Sequence, residues 1–95
     1  MTAELYYIGP RLRTARKASV TAHPDKLKAD LSEWQNELSK ELGCEETAVT
    51  VVVVLNGHAI DYEGPFTYAN RAAFRRAGIT GIRSNSLLLE SPVNP

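Results

Sequence analysis

The chain has 95 residues, of which 43% are apolar and 23% charged, a composition typical of one small globular domain. Eleven basic residues balance eleven acidic ones, which excludes attachment to nucleic acid or to an acidic membrane by bulk charge, though not by a local basic patch. We expect a single domain over residues 1–90, followed by a loose, proline-rich tail over residues 91–95.

Cysteine, histidine and glycine usage argues against a catalytic or metal site. The single cysteine, Cys44, cannot form an internal disulfide, so a reducing, cytoplasmic location is expected. One cysteine and two histidines fall short of a zinc site, and no glycine-rich phosphate loop is present, so no cofactor or metal is predicted. An enzyme that uses Cys44 or His58 is the weakest alternative, and neither a signal peptide nor a membrane-spanning run is found.

The first two predicted elements are strands. Residues 5–8 are aromatic and β-branched and stop at Gly9-Pro10, whereas residues 17–22 alternate between apolar and polar side chains. Because a basic link joins the two segments, we expect a β-hairpin with a long turn.

An amphipathic helix is predicted over residues 24–42. Pro24 suits the first helical position, and Gly43 suits the left-handed position that closes a helix. Apolar side chains recur at steps of three and four and span about 80° of the helix circumference. They form one stripe that must face a sheet or another helix: Leu27, Leu31, Trp34, Leu38 and Leu42.

A second hairpin follows. The β-branched run at 48–55 predicts a strand, Asn56-Gly57 favours a type I′ turn, and residues 58–63 return. A two-residue turn pairs Leu55 with His58. It also pairs Val53 with Ile60 and Val51 with Tyr62, and these six side chains are expected on the core side.

The predicted register leaves an apolar patch on the opposite face of this hairpin. The patch contains Val52, Val54 and Ala59, and Asp61 and Glu63 lie on the same side. Either a partner docks on this patch, or the strand is central and is buried on both faces. The acidic neighbours argue for exposure, because unpaired carboxylates are rarely buried.

A short helix is predicted over residues 67–77, and a last strand over residues 86–90. Thr67 is a good N-cap and Gly78 closes the helix, whereas Arg75 and Arg76 suit its last turn. The expected buried side is apolar and consists of Phe66, Ala69, Ala73, Phe74 and Ala77.

This order of elements indicates an α+β domain in which one long helix crosses one face of a mixed sheet. The stretch from Lys17 to Glu90 resembles a ubiquitin-like β-grasp domain in its strand–helix–strand order and in the glycine-containing turn at Leu55–Asp61. Further matching features are Phe74, Gly78-Ile79 and the closing Leu87 and Leu89. The alternative is a ferredoxin-like βαββαβ fold with both helices on one face. The resemblance implies a non-catalytic module that presents a sheet face to a protein partner or to itself. Since the chain has no terminal Gly-Gly, conjugation through its C-terminus is not expected.

Two surfaces are therefore candidate sites. The first is the docking patch of Val52, Val54, Ala59 and Asp61, for a protein partner or a second copy. The alternative is a nucleic-acid surface, which requires two basic segments to converge. These segments contain Arg11, Arg13, Arg16 and Lys17 in the first, and Arg71, Arg75 and Arg76 in the second. Residues 25–46 carry seven acids and three lysines, so the zero total hides a polarised chain.

Overall fold

The computed structural model of the chain describes residues 3–22 and 27–82, with their side chains except those of residues 19–30. The elements follow the predicted order closely. They are β1 (Ala3–Ile8), β2 (Arg16–Ala22), α1 (Leu27–Leu42), a 3-10 turn (Glu46–Ala48), β3 (Thr50–Leu55), β4 (His58–Glu63) and α2 (Tyr68–Arg76). The predicted strand at 86–90 and the tail at 91–95 lie outside the described residues.

The four strands form one antiparallel sheet in the order β2-β1-β3-β4. The α+β class is confirmed, but the expectation of a mixed sheet is not met among these strands. A single bridge between His58 and Thr80 is the one parallel pairing within the described residues. β1 is paired on both edges, with β2 and with β3, and the β-grasp fold is not confirmed.

The two helices pack on opposite faces of the sheet. The ferredoxin-like alternative requires both helices on one face, so this arrangement does not match it. Leu31 and Leu38 of α1 pack with Val51 and Val53 on one face, whereas Phe74 of α2 packs on the other face. Residues of β3 therefore alternate between two apolar clusters, as the period of two along a strand requires. The sheet is the middle layer of three.

Helix α1 matches the predicted stripe. Leu31 and Leu38 are buried, Trp34 and Leu42 are partly buried against the same cluster, and the side chain of Leu27 lies outside the described ones. Gly43 follows the helix with a φ of 68°, the left-handed conformation expected of a helix-closing glycine. One contact was not predicted: the buried Gln35 side chain donates a hydrogen bond to the carbonyl of Val49 at 2.9 Å and ties α1 to the entry of β3.

The second hairpin turns as predicted but carries a β-bulge. Asn56 and Gly57 have φ values of 52° and 79°, as a type I′ turn requires, and Leu55 pairs with His58. Beyond Ala59 the register shifts by one residue, so that Val53 pairs with Asp61 and Val52 pairs with Tyr62. The predicted pairings of Val53 with Ile60 and of Val51 with Tyr62 are therefore wrong.

The bulge changes the face that each later residue of β4 occupies. Tyr62 was expected on the α1 side of the sheet. It lies on the α2 side instead, where its ring stacks on Phe66 with the centroids 4.5 Å apart. Asp61 shares the side of Val53, and its carboxylate accepts a hydrogen bond from the backbone N–H of Tyr62 at 2.8 Å.

Helix α2 begins and ends near the predicted bounds. The Thr67 hydroxyl caps it by accepting a hydrogen bond from the N–H of Asn70, and the Asn70 amide donates to the carbonyl of Pro65 at 2.9 Å. The predicted buried side is right for Phe66, Ala73 and Phe74. It is wrong for Ala69 and Ala77, which are exposed.

Gly64 joins β4 to the segment before α2 in a conformation that excludes other residues. Its φ is 103°, and a Cβ atom there would overlap the carbonyl oxygen of Val49 and lie 2.9 Å from the Gln35 amide nitrogen. We expect Gly64→Ala to lower the free energy of unfolding by at least about 2 kcal/mol in urea denaturation, because backbone strain and steric overlap add. The matched control is Gly43→Ala, which shares the positive φ but meets no atom within 4 Å. Equal losses for the two variants would contradict this account.

Candidate functional site

The predicted docking patch is interior. Val52, Val54 and Ala59 are exposed to only 0%, 1% and 1%, and they pack in one cluster with Phe74 and Ile79. The interpretation of this face as a partner surface is therefore wrong, and the alternative of a central strand buried on both faces is correct.

The reason for this error lies in two features of the second half of the chain. The bulge moves Asp61 to the α1 side of the sheet, so the acid that argued for exposure does not rim the patch. Helix α2 and the segments on either side of it then cover the apolar residues, with Phe66, Phe74 and Ile82 buried against them. Of the predicted docking residues, Asp61 alone is half-exposed, and it lies away from the other three.

The two basic segments do converge. Leu12 and Ala15 in the loop between β1 and β2 pack against the α2-side cluster, which places this loop beside α2. One guanidinium nitrogen of Arg76 donates a hydrogen bond to the backbone carbonyl of Arg13 at 2.9 Å. This contact joins residues 63 positions apart in the chain, and it places both arginines on one surface.

Three exposed arginines form this surface, which we call the arginine face: Arg13, Arg75 and Arg76. Within the described ranges, none of the three forms an ion pair with a carboxylate. The ion pairs there join Lys17 to Glu4 and Lys40 to Glu37. The arginine face therefore carries positive charge that is not paired with any carboxylate of the described residues.

The other basic residues of the prediction are placed elsewhere. Arg71 is buried, with 8% of its surface exposed. Arg16 pairs with Tyr7 across β1 and β2, so it lies on the α1 side of the sheet, and Arg11 lines a small cavity with Leu42 and Cys44. A hydrogen bond to Glu4, aided by the charge of that carboxylate, raises the pKa of Lys17 above its ordinary value.

An exposed aromatic residue accompanies the arginine face. Tyr68, at the first position of α2, is 70% exposed. Tyr68 and Arg75 are seven residues apart, which places them on the same side of the helix about 10 Å from each other along its axis. The aromatic ring of Tyr68 therefore lies on the same side of α2 as the positively charged side chain of Arg75.

A second concave feature lies on the opposite side of the sheet, between α1 and β2. We call it the Trp34 groove, and its volume is about 460 Å³. The Trp34 ring is half-buried there, and the carboxylates of Glu37 and Glu41 stand one helical turn apart at the rim. The full lining consists of Tyr7, Lys17, Ala18, Trp34, Glu37, Leu38 and Glu41. The helical stripe predicts a core position for Trp34, so no sequence pattern indicated this groove.

The residues considered for catalysis do not converge. Cys44 lies beside Gly9, near the end of the sheet at which Ile8 pairs with Thr50, whereas His58 pairs with Leu55 at the other end of β3. In residues 3–22 and 27–82, no three His, Cys, Asp or Glu side chains are grouped closely enough to hold a metal ion. The helices in that part of the chain are too short or too polar to cross a membrane.

Comparisons with protein-family models, with curated proteins and with solved structures find no match to this chain.

Proposed function

We propose that the protein is a non-catalytic binder of single-stranded nucleic acid, and that the strand lies across the arginine face. The observation that carries the proposal is the contact between Arg76 and Arg13, since it supplies the convergence that a phosphate-binding surface requires. The proposal does not depend on the ubiquitin-like resemblance.

The chemistry of the arginine face suits phosphate. A guanidinium presents several donors in a planar fork that matches phosphate oxygens, and it stays charged at every physiological pH. Arg76 uses one of its nitrogens on the Arg13 carbonyl, which fixes the orientation of its side chain and leaves further donors for a ligand. The guanidinium of Arg75 has no hydrogen bond or ion pair within the described residues, so its whole fork is available.

Tyr68 favours a single strand over a duplex. Bases stack on exposed aromatic rings when they are unpaired, and each such contact contributes about 1–3 kcal/mol with little sequence preference. Helix α2 spans nine residues. Ala73 and Phe74 are buried in the α2-side cluster, whereas Tyr68, Arg75 and Arg76 are exposed.

The test is a titration of a fluorescent oligonucleotide of about 16 thymidines, followed by anisotropy at two salt concentrations. Three phosphate contacts should make binding about 20-fold weaker when salt rises from about 50 to about 200 mM. Arg75→Gln should weaken binding and lower the magnitude of the salt slope by about 0.7, because one phosphate contact is lost. Tyr68→Ala should weaken binding at both salt concentrations, whereas Tyr68→Phe should retain it, because the phenyl ring stacks equally well.

Lys40→Gln is the matched control for charge. It removes one exposed cation from α1, on the opposite side of the sheet from the arginine face, so binding should be unchanged. No binding at low salt, or equal losses for Arg75→Gln and Lys40→Gln, would overturn the proposal.

A further inference from the structure

The Trp34 groove combines an apolar interior with an acidic rim, which is the chemistry that holds a guanidinium group. The ring of Trp34 and the buried side chains of Tyr7 and Leu38 line its interior. A cation over an aromatic face is attracted by the ring, and tryptophan is the best of the aromatic side chains for this contact. Glu37 and Glu41 also line the groove, and a carboxylate accepts charge-assisted hydrogen bonds from a guanidinium.

The cations already near the groove do not occupy it. The ammonium group of Lys17 is paired with Glu4, which pairs across the sheet with Val54 on the α2 side. The ammonium group of Lys40 lies 3.9 Å from a Glu37 oxygen, and both side chains are about two-thirds exposed, so this pair is weak. Glu41 has no ion pair within the described residues.

A suitable cation stands beside the mouth of the groove. Arg16 pairs across the strands with Tyr7, which itself lines the groove, and its side chain is exposed on the α1 side. Its guanidinium forms no ion pair with the carboxylates of its own chain within the described residues. A cationic donor and an acidic acceptor groove therefore lie next to each other on one surface.

A two-fold symmetric contact can use a donor and an acceptor that lie side by side on one surface, here Arg16 and the Trp34 groove. If a second copy approaches with the axis between the two features, each donor meets the partner's acceptor and the contact occurs twice. The formal net charge of zero means that no overall repulsion keeps two copies apart. β2 is also an edge strand of the described sheet, and such edges favour pairing between chains.

We propose that the protein forms a two-fold dimer in which Arg16 of each copy enters the Trp34 groove of the other, between Glu37 and Glu41. The contact leaves the arginine face free, so the dimer presents two such faces.

The test measures mass and Trp34 emission over a dilution series of the full chain. Trp34 is the one tryptophan of the sequence, so its fluorescence reports on the groove alone. We expect the mass to fall from two chains to one on dilution, with a parallel change in emission, and the midpoint to move to higher concentration as salt is added. A mass of one chain at every concentration, with constant emission, would end the proposal.

The residues are tested by charge reversal. Arg16→Glu should raise the dimer dissociation constant by about 10- to 100-fold, because two exposed ion pairs are lost in one step. Adding Glu41→Arg to the same chain should restore much of the affinity, since the pair is then reversed. Arg11→Glu is the matched control, because it reverses the same charge at an exposed arginine of the loop before β2, away from the groove, and it should leave the dimer intact. Lys40→Gln should tighten the dimer, because it removes a competing cation from Glu37.

A dimer that persists unchanged in Arg16→Glu would mean that another contact holds it, and this proposal would be wrong. The result is independent of the nucleic-acid proposal, since Arg13, Arg75 and Arg76 are intact in every variant. Oligonucleotide binding by the Arg16→Glu protein separates the two outcomes.

Discussion

Val54→Glu is expected to unfold the protein or nearly so. Val54 is 1% exposed and lies in the middle layer of the domain, between β1 and β4 and beneath α2. A carboxylate there has no partner and no water, and an uncompensated buried charge costs about 3–5 kcal/mol. A domain of this size has a total stability of about 5–14 kcal/mol, so a large part of it would be lost.

The measurement is the free energy of unfolding from urea denaturation, with circular dichroism as the probe. Ser32→Glu is the control, because it adds the same charge at an exposed position of α1 and should change stability by less than about 0.5 kcal/mol. A folded Val54→Glu protein of unchanged stability would show that this position is open to solvent. The same variant would be a mild surface change if Val52, Val54 and Ala59 formed a docking patch, so the result separates the two descriptions of this face.

Phe74→Ala has the second largest expected effect. Phe74 is fully buried at the centre of the α2-side cluster, and its ring lies 6.1 Å from that of Phe66, which in turn stacks on Tyr62. Removing a buried phenyl group leaves a cavity and costs about 3–5 kcal/mol. Urea denaturation of Phe74→Ala should show this loss.

Phe74→Leu is the matched variant, since it retains most of the volume and should cost less than about 1.5 kcal/mol. Because Phe74 anchors the helix that bears Arg75 and Arg76, we expect Phe74→Ala to weaken oligonucleotide binding as well, whereas Phe74→Leu should bind normally. A loss below about 1 kcal/mol for Phe74→Ala would mean that α2 contributes little to the core.

Local patterns predicted the elements of this fold well. The stripe from Leu31 to Leu42 predicted α1, because helical spacing of apolar residues depends on neighbours along the chain. Asn56-Gly57 predicted the turn, since few other pairs tolerate two positive φ values. Thr67 was predicted as the N-cap because its hydroxyl group can accept a hydrogen bond from the first turn of the helix, and it accepts one from the N–H of Asn70.

Features that depend on distant contacts could not be predicted. No glycine marks the bulge after Ala59, and its consequence is the stacking of Tyr62 on Phe66, a residue beyond the strand. The run of valines in β3 was equally compatible with one buried face or two, and only the position of α2 decides between them. The sequence defined two basic segments, but their convergence follows from the packing of Leu12 and Ala15.

The position of β3 between two apolar layers has a consequence for how the molecule loses its structure. Val51 and Val53 complete one layer, and Val52 and Val54 complete the other. β3 cannot leave one layer without leaving the other, because its valines alternate between the two. Loss of β3 therefore removes the anchoring valines of both layers at once. The two halves of this small protein are therefore expected to come apart together, in a single all-or-none transition reported identically by Trp34 on the α1 side and by Tyr62 on the α2 side.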